Sequence, residues 1–192
     1  TPLLGEDTGD REVCDDCVAT ARPWDRGRAT LVYRDTGRRL VLSLKHGDRT
    51  DLARPAGMWM AQTARDLIGD DTVIVPVPLH WTRLLRRKYN QGAELAKALG
   101  HVTERTVLPD ALIRIARTRP LEGHSRDQRF AALQDAMRPH PKRGAALQGK
   151  HVILVDDVMT SGATFAAATE ACRAAGARQI DVLALARVVK DA

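Results

Sequence analysis

The sequence predicts an α/β protein built on a doubly wound, mainly parallel sheet. Two observations lead there. The apolar runs Val73-Ile74-Val75, Val152-Ile153-Leu154-Val155 and Val182-Leu183-Ala184-Leu185 lack the in/out alternation of a strand with one wet face, as expected of strands covered on both sides. They also alternate with segments of helical periodicity, the pattern of a sheet wound by crossover helices. Length agrees, since 192 residues hold one full domain or one domain with a small appendage.

Each element has its own signal. Residues 1–28 are rich in charge, Gly and Pro and poor in large apolar side chains, so they read as a short irregular appendage to a domain spanning 29–192. Thr30–Tyr33 is β-prone. Thr36–His46 places Leu40 and Leu44 on one helical face before Gly47, a suitable C′ stop, although a hairpin fits the same residues. Pro55–Ile68 carries Trp59, Met60, Ala64 and Leu67 at helical spacing, and Val73–Pro78 is a strand that its prolines end. After a loop, Asn90 is placed to cap a helix over Gly92–Leu99 that Gly100 stops. Leu112–Ala116 reads as the next short strand. From Arg117 to Gly144 the chain is polar and basic, a flap between two strands, interrupted by a capping box at Ser125–Gln128 that opens a helix with Phe130, Leu133 and Met137 on one face. Val152–Val155, an Ala-rich helix Ser161–Ala175 stopped by Gly176, and a last strand Gln179–Val188 complete the order.

Composition narrows the class. With 44% hydrophobic and 28% charged residues the chain resembles an ordinary folded protein and not a disordered one. No apolar run approaches the ~18 residues of a membrane helix, so no membrane insertion is expected. Residues 1–7 show neither the basic nor the apolar region of a secretory leader, and three cysteines are too few for a disulfide framework, so a cytoplasmic location is expected. The net charge of +6 and pI of about 9.6 favour anionic partners. The excess is mostly arginine, 24 against six lysines, which coding bias in an Ala-rich chain also explains. Cys14 and Cys17 have the spacing that grips one Zn²⁺, but a structural zinc takes four ligands, so only half a site is present. Cys172, at helical spacing from Phe165, Ala168 and Ala175, reads as core.

The segment with chemistry is Val152-Ile153-Leu154-Val155-Asp156-Asp157-Val158-Met159-Thr160-Ser161-Gly162-Ala163-Thr164. A buried strand delivers two acids and then a Thr/Ser/Gly loop that opens a helix. In doubly wound sheets ligands bind beyond the carboxyl ends of the strands. Successive amides at a helix N-terminus, with small side chains that admit a ligand, form a cradle for a phosphate monoester, and Thr160, Ser161 and Thr164 add hydroxyls. The acids Asp156 and Asp157 can accept hydrogen bonds from a diol and sit beside a developing cation. The ligand therefore carries a phosphate and hydroxyls about one sugar apart. Gly144–Lys150 spells G-x₄-G-K, but His151 stands where a Walker motif needs Ser or Thr, and the segment precedes a strand instead of following one.

Residues 152–164 resemble the phosphoribosyl-pyrophosphate (PRPP) motif of the type I phosphoribosyltransferases. Lys45-His46, the run Val75-Pro76-Val77-Pro78-Leu79-His80 followed by Arg83, Arg86 and Asn90-Gln91, and a flap with Arg117 and Arg129 further resemble the ComF family, associated with DNA uptake in natural transformation. The resemblance covers roughly residues 30–190. It implies a type I phosphoribosyltransferase fold and transfer of phosphoribosyl from Mg²⁺·PRPP to an unknown acceptor, with pyrophosphate released. It implies Asp156, Asp157, Arg117 and Arg129 as catalytic candidates and residues 160–164, including Gly162 and Ala163, as the 5′-phosphate loop. Val77, Pro78, Leu79, His80, Arg83 and Arg86 would lie on the pyrophosphate side. Arg117–Arg129 would form a lid. Family members often begin with a zinc module of two cysteine pairs, of which Cys14 and Cys17 look like the second, so Zn²⁺ is implied only where the first pair is present. A non-catalytic PRPP-binding or single-stranded-DNA-binding factor that works with competence proteins is the alternative implied.

Overall fold

The computed structural model describes residues 21–46, 49–87, 89–116, 128, 130, 133 and 135–189. Strand β1 (Arg26–Val32) leads into helix α1 (Asp35–His46), a 3₁₀ turn at Thr50–Leu52 and α2 (Ala53–Thr63). Then come β2 (Thr72–Pro76), α3 (Trp81–Arg87), α4 (Gln91–Thr103) and the two-residue β3 (Thr106–Val107). The short strands β4 (Leu112–Arg114) and β5 (Met137–Pro139) precede a 3₁₀ turn at Gly144–Leu147, β6 (His151–Met159), α5 (Ala163–Ala174) and β7 (Gln179–Arg187). Five strands form one parallel sheet in the order β1-β7-β6-β2-β3. This is the predicted doubly wound α/β fold.

Both faces of the sheet are covered, which explains the unbroken apolar strands. On one face Val73, Val75, Val152, Leu154 and Val182 pack with Phe165, Ala168 and Cys172 of α5 and with Leu112 and Met137. On the other, Ile74, Ile153, Val155, Leu183 and Leu185 meet Val41 and Leu44 of α1, Met60 of α2, and Leu95 and Leu99 of α4. Each large side chain removed from water there contributes roughly 1.5–3 kcal/mol. Helices α2 and α4 cross closely at Gly57, where an added Cβ would lie 2.7 Å from that of Ala98.

The structure departs from the sequence reading at several points. Residues 36–46 are helix and not hairpin. Strand β1 starts at Arg26 instead of Thr30, because Trp24 is buried in the core and Asp25 exchanges hydrogen bonds with Ile180 (Asp25 N–H to the carbonyl at 2.8 Å, its carboxylate accepting from Ile180 N–H at 2.8 Å). Gly100 does not stop its helix. The helix runs on to Thr103 and ends at Glu104 with φ 55°, and Gly100 is needed because a Cβ there would overlap the Val107 side chain. Leu112–Ala116 is not a strand of the parallel sheet: β4 pairs antiparallel with β5 in a separate ribbon, and Met137 lies in β5 instead of on a helix face. The flap thus joins the two strands of that ribbon. Most of it, with Arg117 and Arg129, lies outside the described residues, as do Cys14, Cys17 and Lys88. The residues after Pro78, read as a loop, hold α3. Among the described residues no helix is long and apolar enough to cross a membrane.

Candidate functional site

Strands β2 and β6 are neighbours, and the helices that follow them cover opposite faces: α4 lies with the α1 and α2 side and α5 with the other. This is the topological switch point at which a crevice opens beyond the carboxyl ends of the strands. Pairing fixes its floor. Pro76 of β2 stands opposite Val155, after which β6 runs on to Met159 paired only with β7. Val77 N–H still reaches the Val155 carbonyl at 2.9 Å. The Asn90 carbonyl accepts the first helical N–H, from Glu94 at 3.1 Å, but its side chain does not cap the helix; the side-chain amide donates instead to the Val77 carbonyl at 3.1 Å, closing the loop after β2. Gly92, in the first turn of α4, would place a Cβ 3.2 Å from the Val155 carbonyl oxygen and 3.7 Å from Asp156 Cα, so this close approach needs glycine.

Asp156 and Asp157 sit together at the open end of β6, yet successive strand residues face opposite ways. Asp157 continues the row of Ile153 and Val155, and Lys45 Nζ on α1 lies 3.1 Å from its carboxylate. Asp156 continues the row of Val152 and Leu154, on the side of Arg114 in β4. Burial first, and then the charge of Asp157, push its carboxyl from the ordinary 3.8 up to about 7, against the Asp157 N–H, Lys45 and Arg114, which favour ionisation. The Asp157 N–H donates to Asp156 Oδ1 at 2.8 Å. A half-buried carboxyl poised in this way is stabilised by hydroxyl donors or a cation arriving from the crevice.

The loop that follows is built for close approach. Gly162, at φ 84°, caps α5, and Ala166 N–H closes the first turn on its carbonyl at 2.9 Å. Thr160 is exposed, Ser161 and Thr164 are half-buried and Ala163 is buried. Behind the loop, Arg22 Nη1 donates to the Ser161 carbonyl at 3.0 Å. The Arg22 guanidinium lies 5.5 Å from the Trp24 ring centroid, and Trp24 packs edge-on against Phe165 of α5. Of the residues expected on the pyrophosphate side, Val77 and Pro78 are buried directly beyond β2, and Leu79 and His80 lead into α3. His80 caps that helix, its Nδ1 meeting the Thr82 hydroxyl at 2.8 Å and accepting from Thr82 N–H at 3.3 Å. Arg83 and Arg86 fall within α3. Arg22 and the Lys45 contact to Asp157 were missed by pattern reasoning. A lone Trp24 in a polar segment was the available hint that this stretch docks.

A crevice at the switch point, two acids at the strand end and a glycine-capped loop define a doubly wound α/β domain with its candidate site at the end of the sheet. The chain belongs to the phosphoribosyl transferase domain family, which matches residues 82–191. Within it the chain is a ComF-family, phosphoribosyltransferase-like protein, as its relatives indicate. It is similar to the DNA utilization protein YhgH of Salmonella typhi, 29% identical over 182 residues that make up 92% of this chain and 78% of that one. It is also similar to Competence protein F of Haemophilus influenzae, 26% identical over 179 residues, 91% of this chain and 78% of the relative. A solved chain described as the allosteric regulatory enzyme of purine biosynthesis aligns with a TM-score of 0.48 and 17% identity, over 76% of this chain and 30% of that one.

Proposed function

We propose that the protein binds Mg²⁺·PRPP at the end of β6 and transfers the phosphoribosyl group to an acceptor, releasing pyrophosphate. The observation that carries this reading is the placement of Asp156, with its carboxyl pushed up to about 7, one loop before the Gly162 cap of α5 at the switch point. The loop amides and the hydroxyls of Thr160, Ser161 and Thr164 would hold the 5′-phosphate. Asp156 and Asp157 would accept hydrogen bonds from the ribose hydroxyls, and their charge would stabilise the cation that develops at C1 as the bond to pyrophosphate breaks. Lys45 holds the Asp157 carboxylate in place through its 3.1 Å ion pair. The Val77–His80 turn, with Arg83 and Arg86 beyond it, would face the pyrophosphate, and Arg117 and Arg129 would close over the crevice and exclude water.

The donor set suits magnesium, which takes one or two carboxylates and otherwise substrate phosphate oxygens. Asp156, with Asp157 beside it, would be its protein ligands. The ion would neutralise charge on the leaving pyrophosphate.

A second reading, a single-stranded-DNA-binding factor that keeps the cradle without turnover, is favoured by the names of the relatives and by Trp81, 63% exposed on α3 beside the crevice. Exposed aromatics among basic residues are stacking platforms for bases. One experiment separates the two. Pyrophosphate release from Mg²⁺·PRPP is screened across purines, pyrimidines and amines, alongside calorimetry of PRPP binding to wild type and Asp156→Ala. Release with any acceptor supports transfer. PRPP binding that Asp156→Ala leaves at wild-type strength overturns the site, and Asp156-dependent binding without release, together with DNA retention lost in Trp81→Ala, supports the second reading.

A further inference from the structure

We infer that Arg22 is a positioning residue for the 5′-phosphate, which makes the segment ahead of β1 part of the binding site. This rests on the reading of residues 160–164 as the phosphate cradle.

The geometry comes from one peptide unit. Arg22 Nη1 holds the carbonyl of Ser161 at 3.0 Å, and in a planar trans peptide the carbonyl and the following N–H point in opposite directions. Fixing the Ser161 carbonyl on Arg22 therefore turns the Gly162 N–H away from Arg22 and Trp24, toward the open side of the loop. Gly162 is held besides at its carbonyl, which accepts from Ala166 N–H at 2.9 Å. Its φ of 84° is freely reached by glycine in either sense of the flanking peptide, and a side chain there is excluded because a Cβ would lie 2.8 Å from Trp24 Cη2 and 3.4 Å from Arg22 Nη1. Arg22 and Trp24 are the back wall against which the loop is set.

Charge is the second, independent observation. Among the described residues Arg22 has no carboxylate partner, and its Nε is buried without a hydrogen bond. Other arginines that anchor this chain do so against acids: Arg26 on Asp181, Arg28 on Asp66, Arg105 on Asp70, Arg178 on Asp71. A half-buried guanidinium left without a counter-charge and bonded to the back of an anion cradle raises the potential where a phosphate dianion would sit.

The arm that carries Arg22 is firmly seated. Trp24 is buried, Asp25 is bonded to Ile180 at both its N–H and its carboxylate, and Arg173 of α5 donates to the Pro23 carbonyl. The position of Arg22 is thus set from α5 and β7 and not by the loop it supports.

The test is calorimetry on the full chain with ribose, ribose 5-phosphate and Mg²⁺·pyrophosphate, for wild type, Arg22→Ala and Arg22→Lys. The expected result is that Arg22→Ala weakens ribose 5-phosphate about tenfold or more, the worth of a hydrogen bond involving a charged group, with pyrophosphate binding within about twofold of wild type. Arg22→Lys falls between them. Wild-type affinity for ribose 5-phosphate in Arg22→Ala, or an equal loss for both ligands, overturns the inference and leaves the cradle standing. A wild-type protein that does not distinguish ribose 5-phosphate from ribose overturns both. Should Arg22→Ala fail to fold, Arg22→Gln, which keeps a donor and a packing stem without the charge, is read by the same two outcomes.

Discussion

Replacing Asp156 with Asn should make the unliganded protein more stable at pH 8 and no different near pH 4. In the folded state the Asp156 carboxyl is pushed from 3.8 to about 7, first by burial and then by Asp157. Between those values the folded chain binds more protons than the unfolded chain, so stability falls as pH rises through that window, and the penalty is complete above it. At ~1.4 kcal/mol per tenfold change in proton affinity the full displacement is ~4 kcal/mol, and with the residue half-buried and water able to screen it about 2 kcal/mol is expected. For a chain of this size that is a rise of about 4–8 °C in melting temperature. Thermal melts of wild type and Asp156→Asn at half-unit steps from pH 4 to 8.5 measure it. A gap that stays constant with pH, or a less stable Asn variant at pH 8, would refute the reasoning. The same variant should lose Mg²⁺·PRPP binding by about tenfold or more, the stability–function opposition expected of a site that holds an acid where it is least comfortable.

Three further outcomes follow from the geometry. Gly92→Ala should cost ~1–3 kcal/mol by overpacking against the Val155 carbonyl and Asp156; chemical denaturation measures this, and calorimetry should show PRPP affinity falling with it. Lys45→Met leaves the largely buried Asp157 without its ion partner and should destabilise by ~1–3 kcal/mol in urea titrations at pH 7, with wild-type stability counting against the pair. Asp181 is fully buried; burial would raise its carboxyl, but hydrogen bonds from His151 and Arg26 outweigh that and hold it below the ordinary value. Its stabilising effect is therefore present at neutral pH and lost as pH falls below ~4, so Asp181→Asn should cost ~3–5 kcal/mol at pH 7 and progressively less in acid.

What could be read from sequence depended on contiguity. The strands at 73, 152 and 180 were legible because burial on both faces leaves no polar position to blur them, and the acids and loop of residues 156–164 were legible because a single stretch of chain carries the motif. Gly176, at φ 79°, ends α5 as its position predicts. The ribbon of β4 and β5 was not legible. Three apolar residues at Leu112–Arg114 say nothing about which strand they pair with, and the partner lies beyond the flap. The same limit hid the supports of the site. Arg22 meets Ser161 across 139 positions, Lys45 meets Asp157 only once α1 has packed on the sheet, and Asn90 looked like a helix cap because nothing local reveals that the Val77 carbonyl is nearer. Gly100 misled for a related reason: the demand for glycine came from a neighbouring strand and not from its own helix.

Among the described residues the first strand, β1, pairs with the last, β7, and this shapes how the protein comes into being. Arg26 finds Asp181 across 155 positions, so among the described strands β1 has no neighbour in the sheet until β7 has been made and has joined β6. During synthesis the amino-terminal quarter must wait, its apolar side chains uncovered, while later segments assemble. Closing so long a loop is entropically unfavourable and is repaid only when the edge strand docks. A chain stopped before Gln179 would lose two strands instead of one, and with them the seat of Trp24. Emergence of β7, and not of the motif itself, is then the moment at which the loop at 160–164 acquires its back wall.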